Sequence, residues 1–306
     1  MNAGPLKRAA LPTRMLAFSG IVMASGATAS MVFFPNYALE YWPSVAAIIP
    51  LSALFVLLAA LRSWVILDGK VSLLDAVLVN GLSLTLSSFL PAKSGELAKP
   101  LALRRMSGLN IYSGSSLVVV ERVLDGLAVA TLALFGGVRA AELLPIRSPW
   151  LVAAVLAAGV GFCLAAWLSF PRIRRIVRTA IIELRSHRWS LGRVAWQLLL
   201  TLAIWGISFS MVFTFALLSD SIQLGIGQLF SVFVGSTLAL VVAVTPGGWG
   251  FLEGATVGLL VLYGVGVGDA LAFALALRIA LFIVPFTVAL IAAASLHWRQ
   301  ASRVDG

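Results

Sequence analysis

Long apolar runs, separated by short polar segments, dominate the hydrophobic pattern of this chain. The hydrocarbon core of a bilayer is about 30 Å thick and requires about 20 apolar residues per helix. Runs of this length occupy residues 15–34, 44–66, 110–137, 150–170, 194–218 and 268–295. The pattern therefore predicts an all-α polytopic integral membrane protein with about six full transmembrane helices.

Two further apolar stretches, residues 72–105 and 226–263, are each interrupted midway by a polar motif rich in proline and glycine. The motifs read PAKSGE at 91–96 and TPGGWGFLE at 245–253. Proline ends an incoming half-helix, and glycine permits the unusual dihedrals of a sharp turn. Each stretch is therefore predicted to be a re-entrant helical hairpin, whose returning half-helix directs its positive dipole end at a cavity and favours an anion. The predicted turn residues are Pro91, Gly95, Pro246, Gly247, Gly248 and Gly250.

The two interrupted stretches also share a period. Three matched pairs of landmarks lie 155 to 157 residues apart: Pro91 and Pro246, Glu96 and Glu253, and Arg122 and Arg278. This agreement indicates an internal duplication of approximately residues 44–137 and 194–295. Each half is predicted to contain a broken hairpin and a following helix with a buried arginine. The first hairpin is predicted to open inside the cell and the second outside, so the repeats are inverted.

Composition fixes the class of protein. The chain of 306 residues is 60% hydrophobic and 11% charged, with a mean hydropathy of +1.02. These values exclude an ordinary soluble domain, so residues 1–306 are predicted to form a single transmembrane domain. The excess of 22 Lys and Arg over 12 Asp and Glu follows from the positive-inside rule and requires no nucleic-acid partner.

The distribution of basic residues predicts the topology. Seven arginines lie within residues 171–193, which we interpret as a cytoplasmic connecting segment, either an amphipathic helix on the membrane surface or a solvated basic loop. The same rule places both termini in the cytoplasm and favours two re-entrant hairpins over the alternative of eight simple crossings, in which both hairpins span the membrane. The first apolar run could instead be a signal peptide, since small residues at 27–29 offer a cleavage site, but a retained anchor is favoured because the run continues past them.

No catalytic or metal-binding pattern is present in the sequence. The one cysteine, Cys163, lies in an apolar run, and the two histidines, His187 and His297, lie at polar ends. Neither a Cys/His ligand cluster nor a Ser/His/Asp constellation can be identified. We therefore expect no cofactor, no metal and no enzymatic activity.

Ionisable residues at membrane depth supply the candidate site. The run VVVERVLDGLAVA contains Glu121, Arg122 and Asp125, with Glu121 and Asp125 on one helical face. An ionisable side chain in a bilayer raises the free energy of the protein unless it is paired or hydrated, so these residues should face protein. The candidate site residues are Glu96, Glu121, Arg122, Asp125, Glu253 and Arg278.

Two interpretations of these charges remain open, and they are compatible. In the first, Glu96 and Glu253 pair with Arg122 and Arg278 as structural salt bridges, with the glutamates capping the returning half-helices. In the second, the arginines receive a phosphate-bearing headgroup, because guanidinium binds phosphate bidentately, and the carboxylates pair with them when the site is empty or carry a coupling proton. Two lysines, Lys93 and Lys99, are interpreted as interfacial cations rather than site residues.

The motifs PAKSGE, ERVLD and PGGWGFLE, with an arginine in the last long helix, resemble the flippase-like membrane family that includes the transmembrane region of lysylphosphatidylglycerol synthetase. The resemblance spans about residues 15–295. It implies a bacterial or archaeal inner-membrane protein linked to moving or presenting lipids, such as aminoacylated phosphatidylglycerol, hopanoids or polyprenyl-linked sugars. The residues that carry the resemblance are Pro91, Gly95, Glu96, Glu121, Arg122, Asp125, Pro246, Gly247, Gly248, Gly250, Glu253 and Arg278.

Two departures from the family pattern limit what carries over. We expect a stand-alone member without the soluble aminoacyl-transfer domain, so the synthetase activity is not inherited. Thr245 stands where an apolar residue commonly precedes PGG, and it adds a hydroxyl to the turn.

The sequence hypothesis is a translocase for a phospholipid or lipid-linked intermediate with an anionic headgroup. The alternative is a non-transporting membrane partner that presents lipid to a separate glycosyltransferase or synthase. An integral-membrane transferase is a third class, disfavoured by the missing catalytic constellation. The expected partners are anionic or polyprenyl-linked lipids, with a lipid-modifying enzyme and further copies of the chain left open.

Overall fold

The computed structural model describes residues 35–90, 95–143, 190–243 and 245–301, together with residue 182. The regular secondary structure of these residues is helical, without a strand. The α-helices are α1 Pro35–Ile66, α2 Leu73–Ser87, α3 Ala98–Ser107, α4 Ile111–Leu143, α5 Leu191–Leu217, α6 Ile226–Val242, α7 Phe251–Leu262 and α8 Val267–Ala301. A short 3-10 turn, Pro246–Gly248, lies between α6 and α7.

Three segments in the described part of the chain are long and apolar enough to cross a membrane: Tyr41–Ile66, Leu191–Leu217 and Val267–Trp298. They correspond to three predicted spans, and α4 covers all but the first residue of the predicted span 110–137. The predicted spans 15–34 and 150–170 lie outside the described residues, as does most of the basic segment 171–193.

Local signals in the sequence place several helix ends. The Ser72 side chain accepts a hydrogen bond from the Asp75 amide (3.0 Å) and begins α2, and Ser190 accepts from the Arg193 amide (3.3 Å) at the start of α5. The α3 helix ends at Gly108, whose φ of 69° is left-handed.

Both predicted interruptions are breaks between helices. In the first, α2 ends before the motif and α3 begins after it, and Gly95 lies so close to the backbone of Leu86 and Ser87 that a Cβ atom would not fit. Pro91 and Lys93 lie outside the described residues. In the second, the chain turns through Pro246–Gly248 and reaches Gly250 with a φ of 84°.

Two apolar cores hold the helices together. One joins the start of α1, the end of α5, α6, α7 and the start of α8, where Tyr41 stacks on Phe215 (5.5 Å between ring centroids) and meets Phe273 edge-on. The other joins the end of α1, α2, α3, the start of α4 and the end of α8. Helix α8 packs against α2, and α4 packs against α6. The two halves of the chain are therefore interleaved.

Candidate functional site

The centre of the first charge cluster is Glu121 on α4, whose side chain is buried. Its carboxylate accepts hydrogen bonds from the Lys99 ammonium at 2.6 Å and from the Ser63 hydroxyl at 2.6 Å. Asn80 on α2 donates to the same hydroxyl at 3.0 Å. Groups on α1 and α3 thus satisfy one buried carboxylate of α4, and α2 supports them through Asn80.

The interfacial interpretation of Lys99 is wrong. Its side chain is buried and paired with Glu121. The physical reason is that α3 packs against both α2 and α4, so the face of α3 that carries Lys99 is covered by protein.

Asp125 lies one turn further along α4 and is held by two arginines. Arg62 on α1 contacts both carboxylate oxygens, at 2.6 and 3.3 Å, which is the bidentate geometry that a guanidinium favours. Arg122 contacts the same carboxylate at 2.9 Å. The Thr201 hydroxyl on α5 accepts from Arg62 at 3.4 Å.

Arg122 is the accessible member of the cluster. Its Nε lies 3.0 Å from a Glu96 carboxylate oxygen, so the predicted pairing of these two residues is confirmed. The prediction that this arginine is buried is wrong, because 45% of its side chain is exposed. Position 122 is about 100° around α4 from Glu121, so its side chain leaves the buried face that Glu121 and Asp125 share.

The cluster forms one layer across the helices. Glu121 follows Ile111, the start of α4, by ten residues, and Thr201 follows Leu191, the start of α5, by ten. At 1.5 Å per residue, both lie about 15 Å along their helices. Glu121 and Thr201 therefore lie well inside their helices, whereas Arg62 lies near the end of α1 and Lys99 near the start of α3.

The second charge cluster lies at the second turn and is organised differently. Glu253 accepts a hydrogen bond from the Gly250 amide at 2.7 Å, which caps α7 as predicted, and lies 3.4 Å from Arg278. Arg278 also donates to the Gly247 carbonyl and lies over the Trp249 ring, 4.9 Å from its centroid. Only 7% of the Arg278 side chain is exposed.

The two turns that interrupt the apolar stretches contact each other. The Gly247 amide donates to the Leu90 carbonyl at 3.3 Å, and the Trp249 indole donates to the Ser88 carbonyl at 3.2 Å. Gly247 has a φ of 58°, and a Cβ atom there would collide with the Ser88 carbonyl, so glycine is required twice over. The Thr245 hydroxyl donates to the Trp249 carbonyl at 2.8 Å, so the hydroxyl expected in this turn stabilises it.

Sequence reasoning missed Arg62, Ser63 and Asn80, and it misplaced Lys99. The signals were present but weak. Arg62 lies four residues before the end of α1, where a charge is normally interfacial. Asn80 interrupts an apolar helix, which is a sign of a polar partner at depth.

Two other features of the described residues do not extend the site. No group of three or more His, Cys, Asp or Glu side chains there is arranged to hold a metal ion. A cavity of about 300 Å³ lies at the loop between α5 and α6, lined by residues including Asp220 and Gln223. It is lined by none of the predicted site residues.

Apolar helices with a layer of paired charges inside them define a multi-pass membrane protein. The chain belongs to the family of the lysylphosphatidylglycerol synthase transmembrane region, whose model matches residues 15–289. The resemblance identified from the motifs is thereby confirmed, and it connects the protein with lipid biology. No curated protein and no solved structure matches the chain.

Proposed function

We propose that this protein is a translocase, or flippase, for a phospholipid or lipid-linked intermediate with an anionic headgroup. The observation that carries the proposal is the accessible guanidinium of Arg122 within a buried layer of paired charges. The headgroup passes through a charged cavity between the two halves, while the acyl chains stay in the bilayer.

The chemistry of Arg122 supports an anionic ligand. A guanidinium stays charged at depth and binds a phosphate oxygen pair in a fixed geometry. Its present partners, Glu96 and Asp125, occupy the positions that phosphate oxygens would take. Arg278 is buried and already bound to Gly247 and Glu253, so we assign it to holding the second turn rather than to first contact with the headgroup.

The proposed architecture has six full spans and two re-entrant hairpins in an inverted repeat, and the packing of the described helices supports the inverted relation of the two hairpins. The last helix of each half packs on the first half-helix of the other hairpin, α8 on α2 and α4 on α6. The two turns contact each other. Reciprocal contacts of this kind are expected of two halves related by a pseudo-twofold axis with a site near the midplane.

The proposal includes the cellular setting. We place the protein in the bacterial or archaeal inner membrane with both termini in the cytoplasm, as the basic residues of the sequence favour. Its partners are membrane lipids, and it moves them without enzymatic chemistry.

Reconstitution into liposomes tests the proposal. Proteoliposomes containing phospholipids with a fluorescent label are treated with an impermeant quencher, and the fraction of label that crosses is compared with that in empty liposomes. Wild-type protein should accelerate crossing. Arg122→Ala should slow it about tenfold or more, because a charge-assisted hydrogen bond contributes about 1.5–3 kcal/mol.

Arg193→Ala is the matched control. Arg193 pairs with Asp68 at 3.1 Å and is 41% exposed, comparable to Arg122, but lies outside the charge layer. Equal loss in both variants would contradict a specific role for Arg122. Lipid binding without any crossing, for anionic and polyprenyl lipids alike, would favour the non-transporting protein that presents lipid to a separate enzyme.

A further inference from the structure

The exposed residues of α3, together with the residue that caps its start, lie on one side of the helix. They are Leu97, which is 69% exposed, Leu101, which is 48% exposed, and the exposed Arg104 and Arg105. Leu101 follows Leu97 by four residues and precedes the two arginines by three and four, which is the spacing of one helical face. We call these four residues the outer stripe. It is apolar at one end and basic at the other.

The basic end of α3 belongs to the side of the molecule where three spans end. Asp68, just after α1, pairs with Arg193 near the start of α5 at 3.1 Å. The end of α8 shares an apolar core with the end of α1 and with α3. Tryptophans are enriched at membrane–water interfaces, and three that are exposed lie near these helix ends: Trp64, Trp196 and Trp298. This side is therefore one face of the membrane.

Helix α3 runs from membrane depth to that face. The Ser107 hydroxyl at its end donates to Asp75 in the first turn of α2 at 3.2 Å. Gly95, just before α3, lies against the backbone at the end of α2. The two helices are therefore antiparallel. At 1.5 Å per residue, Leu97 lies about 10 Å deeper than the two arginines of the outer stripe.

The basic end of the outer stripe carries positive charge that the described residues leave unpaired. Among them, neither Arg104 nor Arg105 makes an ion pair, and neither does the exposed Lys70 at the same face. Arg193 differs, because it is paired with Asp68. Guanidinium groups bind phosphate in bidentate geometry, and cations at a membrane surface attract anionic lipid. This end is therefore complementary in charge to an anionic headgroup.

The apolar end of the outer stripe adjoins the proposed transport site. Leu97 directly follows Glu96, which Arg122 contacts at 3.0 Å, and 45% of the Arg122 side chain is exposed. Leucines at this depth lie at the level of lipid acyl chains. A lipid on the stripe would have its headgroup at the membrane face, about two helical turns from the level of Arg122.

We propose that the outer stripe of α3 binds an anionic phospholipid from the adjacent leaflet. The phosphate contacts Arg104 and Arg105, and an acyl chain lies on Leu97 and Leu101. This site is distinct from Arg122 and holds the lipid before it reaches that residue. The binding site stands by itself, whereas its role in capture rests on the proposed function.

Fluorescence quenching in proteoliposomes of the full chain tests the site. A bimane fluorophore is attached to Leu101→Cys in a Cys163→Ser background, since Cys163 is the one native cysteine. Quenching by phosphatidylglycerol and by phosphatidylcholine, each brominated on its acyl chains, gives their relative binding constants. We expect a preference for phosphatidylglycerol of about tenfold or more, because each of two cations favours an anionic lipid about fivefold.

Variants and a second label position assign the preference. The double variant Arg104→Gln with Arg105→Gln should bring it close to one, whereas Arg193→Gln, which removes a paired cation at the same face, should leave it unchanged. Leu199→Cys is the matched label position. Leu199 is 53% exposed on α5, with no cation within five residues, and should show no preference.

A readout without a label covers the case in which Cys163→Ser does not fold. Native mass spectrometry counts the phosphatidylglycerol molecules that the extracted protein retains. The double variant at Arg104 and Arg105 should retain about one fewer per chain than the wild type, and Arg193→Gln should retain the same number. An unchanged count in the double variant would contradict the site.

The quenching outcomes decide the site separately from transport. No preference at Leu101→Cys, an equal preference at Leu199→Cys, or a preference that survives loss of both arginines overturns the site and leaves the proposed function standing. Glycerophosphoglycerol, the same phosphodiester without acyl chains, is added as a competitor. If it displaces phosphatidylglycerol at equal concentration, the site is one for a soluble phosphodiester and the assignment to lipid is overturned.

Lipid crossing tests the capture role. The double variant at Arg104 and Arg105 should slow crossing about tenfold at a low mole fraction of phosphatidylglycerol and recover at a high one, whereas Arg122→Ala should be slow at both. An equal reduction at every mole fraction would contradict capture. If wild-type protein moves no lipid, the proposed function fails, and the quenching result still decides whether the outer stripe binds lipid.

Discussion

Arg122 and Arg278 occupy matching positions in the two halves of the chain, and they differ in what surrounds them. Each lies near the glutamate of its own hairpin, at 3.0 Å for Arg122 and 3.4 Å for Arg278. Arg122 has a second carboxylate and a side chain that is nearly half exposed. Arg278 has a backbone carbonyl, two aromatic rings and almost no exposure.

The difference shows how one sequence pattern can serve two purposes. An arginine that is partly exposed and paired with carboxylates can exchange a carboxylate for another anion. An arginine bonded to the Gly247 carbonyl and stacked on Trp249 fixes a backbone turn. We therefore interpret the first half as the half that meets the ligand and the second as the half that holds the junction of the two turns.

The largest expected effect lies in the buried part of the first cluster. Glu121→Gln leaves the Lys99 ammonium without its carboxylate, which should lower the free energy of unfolding by about 3–5 kcal/mol. Titration with SDS, followed by circular dichroism, measures it. The double variant Glu121→Gln with Lys99→Met should recover most of the loss, because it removes the uncompensated charge; equal losses would show that charge pairing is not the cause.

Arg278→Ala should have the next largest effect on stability. The charge-assisted hydrogen bond to Gly247 alone contributes about 1.5–3 kcal/mol, and the contact with Trp249 is lost as well. The same SDS titration measures the change. Arg278→Lys should restore less than half of it, since an ammonium lacks the planar face that stacks on the indole, and full restoration would contradict this assignment.

The smallest expected effect on stability belongs to Arg122→Ala. Its ion pairs are partly exposed, and such pairs contribute less than about 1 kcal/mol. The same variant should lose lipid crossing in liposomes, so that a small effect on stability accompanies a large effect on activity. A destabilisation as large as that of Arg278→Ala would contradict the different roles assigned to Arg122 and Arg278.

Much of the architecture could be predicted from the sequence, because apolar length and helix breakers are local properties. The bounds of α5 differ by three residues or fewer from the predicted span 194–218. The Glu96–Arg122 and Glu253–Arg278 pairs were predicted from spacing alone, and both are present.

What the sequence did not predict depends on which helix packs on which. In the sequence, Lys99 resembles an interfacial lysine. It becomes a buried partner of Glu121 only because α3 packs against α2 and α4. Arg62 joins the charge cluster by its ion pair with Asp125, which is 63 residues away in the chain. Neither relation has a local signature.

The junction of the two turns has a consequence for how the protein is made. The Ser88 carbonyl is paired with an indole 161 residues later in the chain, and the Leu90 carbonyl is paired with the Gly247 amide. Synthesis proceeds from the N-terminus, so the first turn is made long before its partners emerge from the ribosome. Until then, the carbonyls of Ser88 and Leu90 lack these two partners, so the first turn reaches its final set of hydrogen bonds only after the second half has been made.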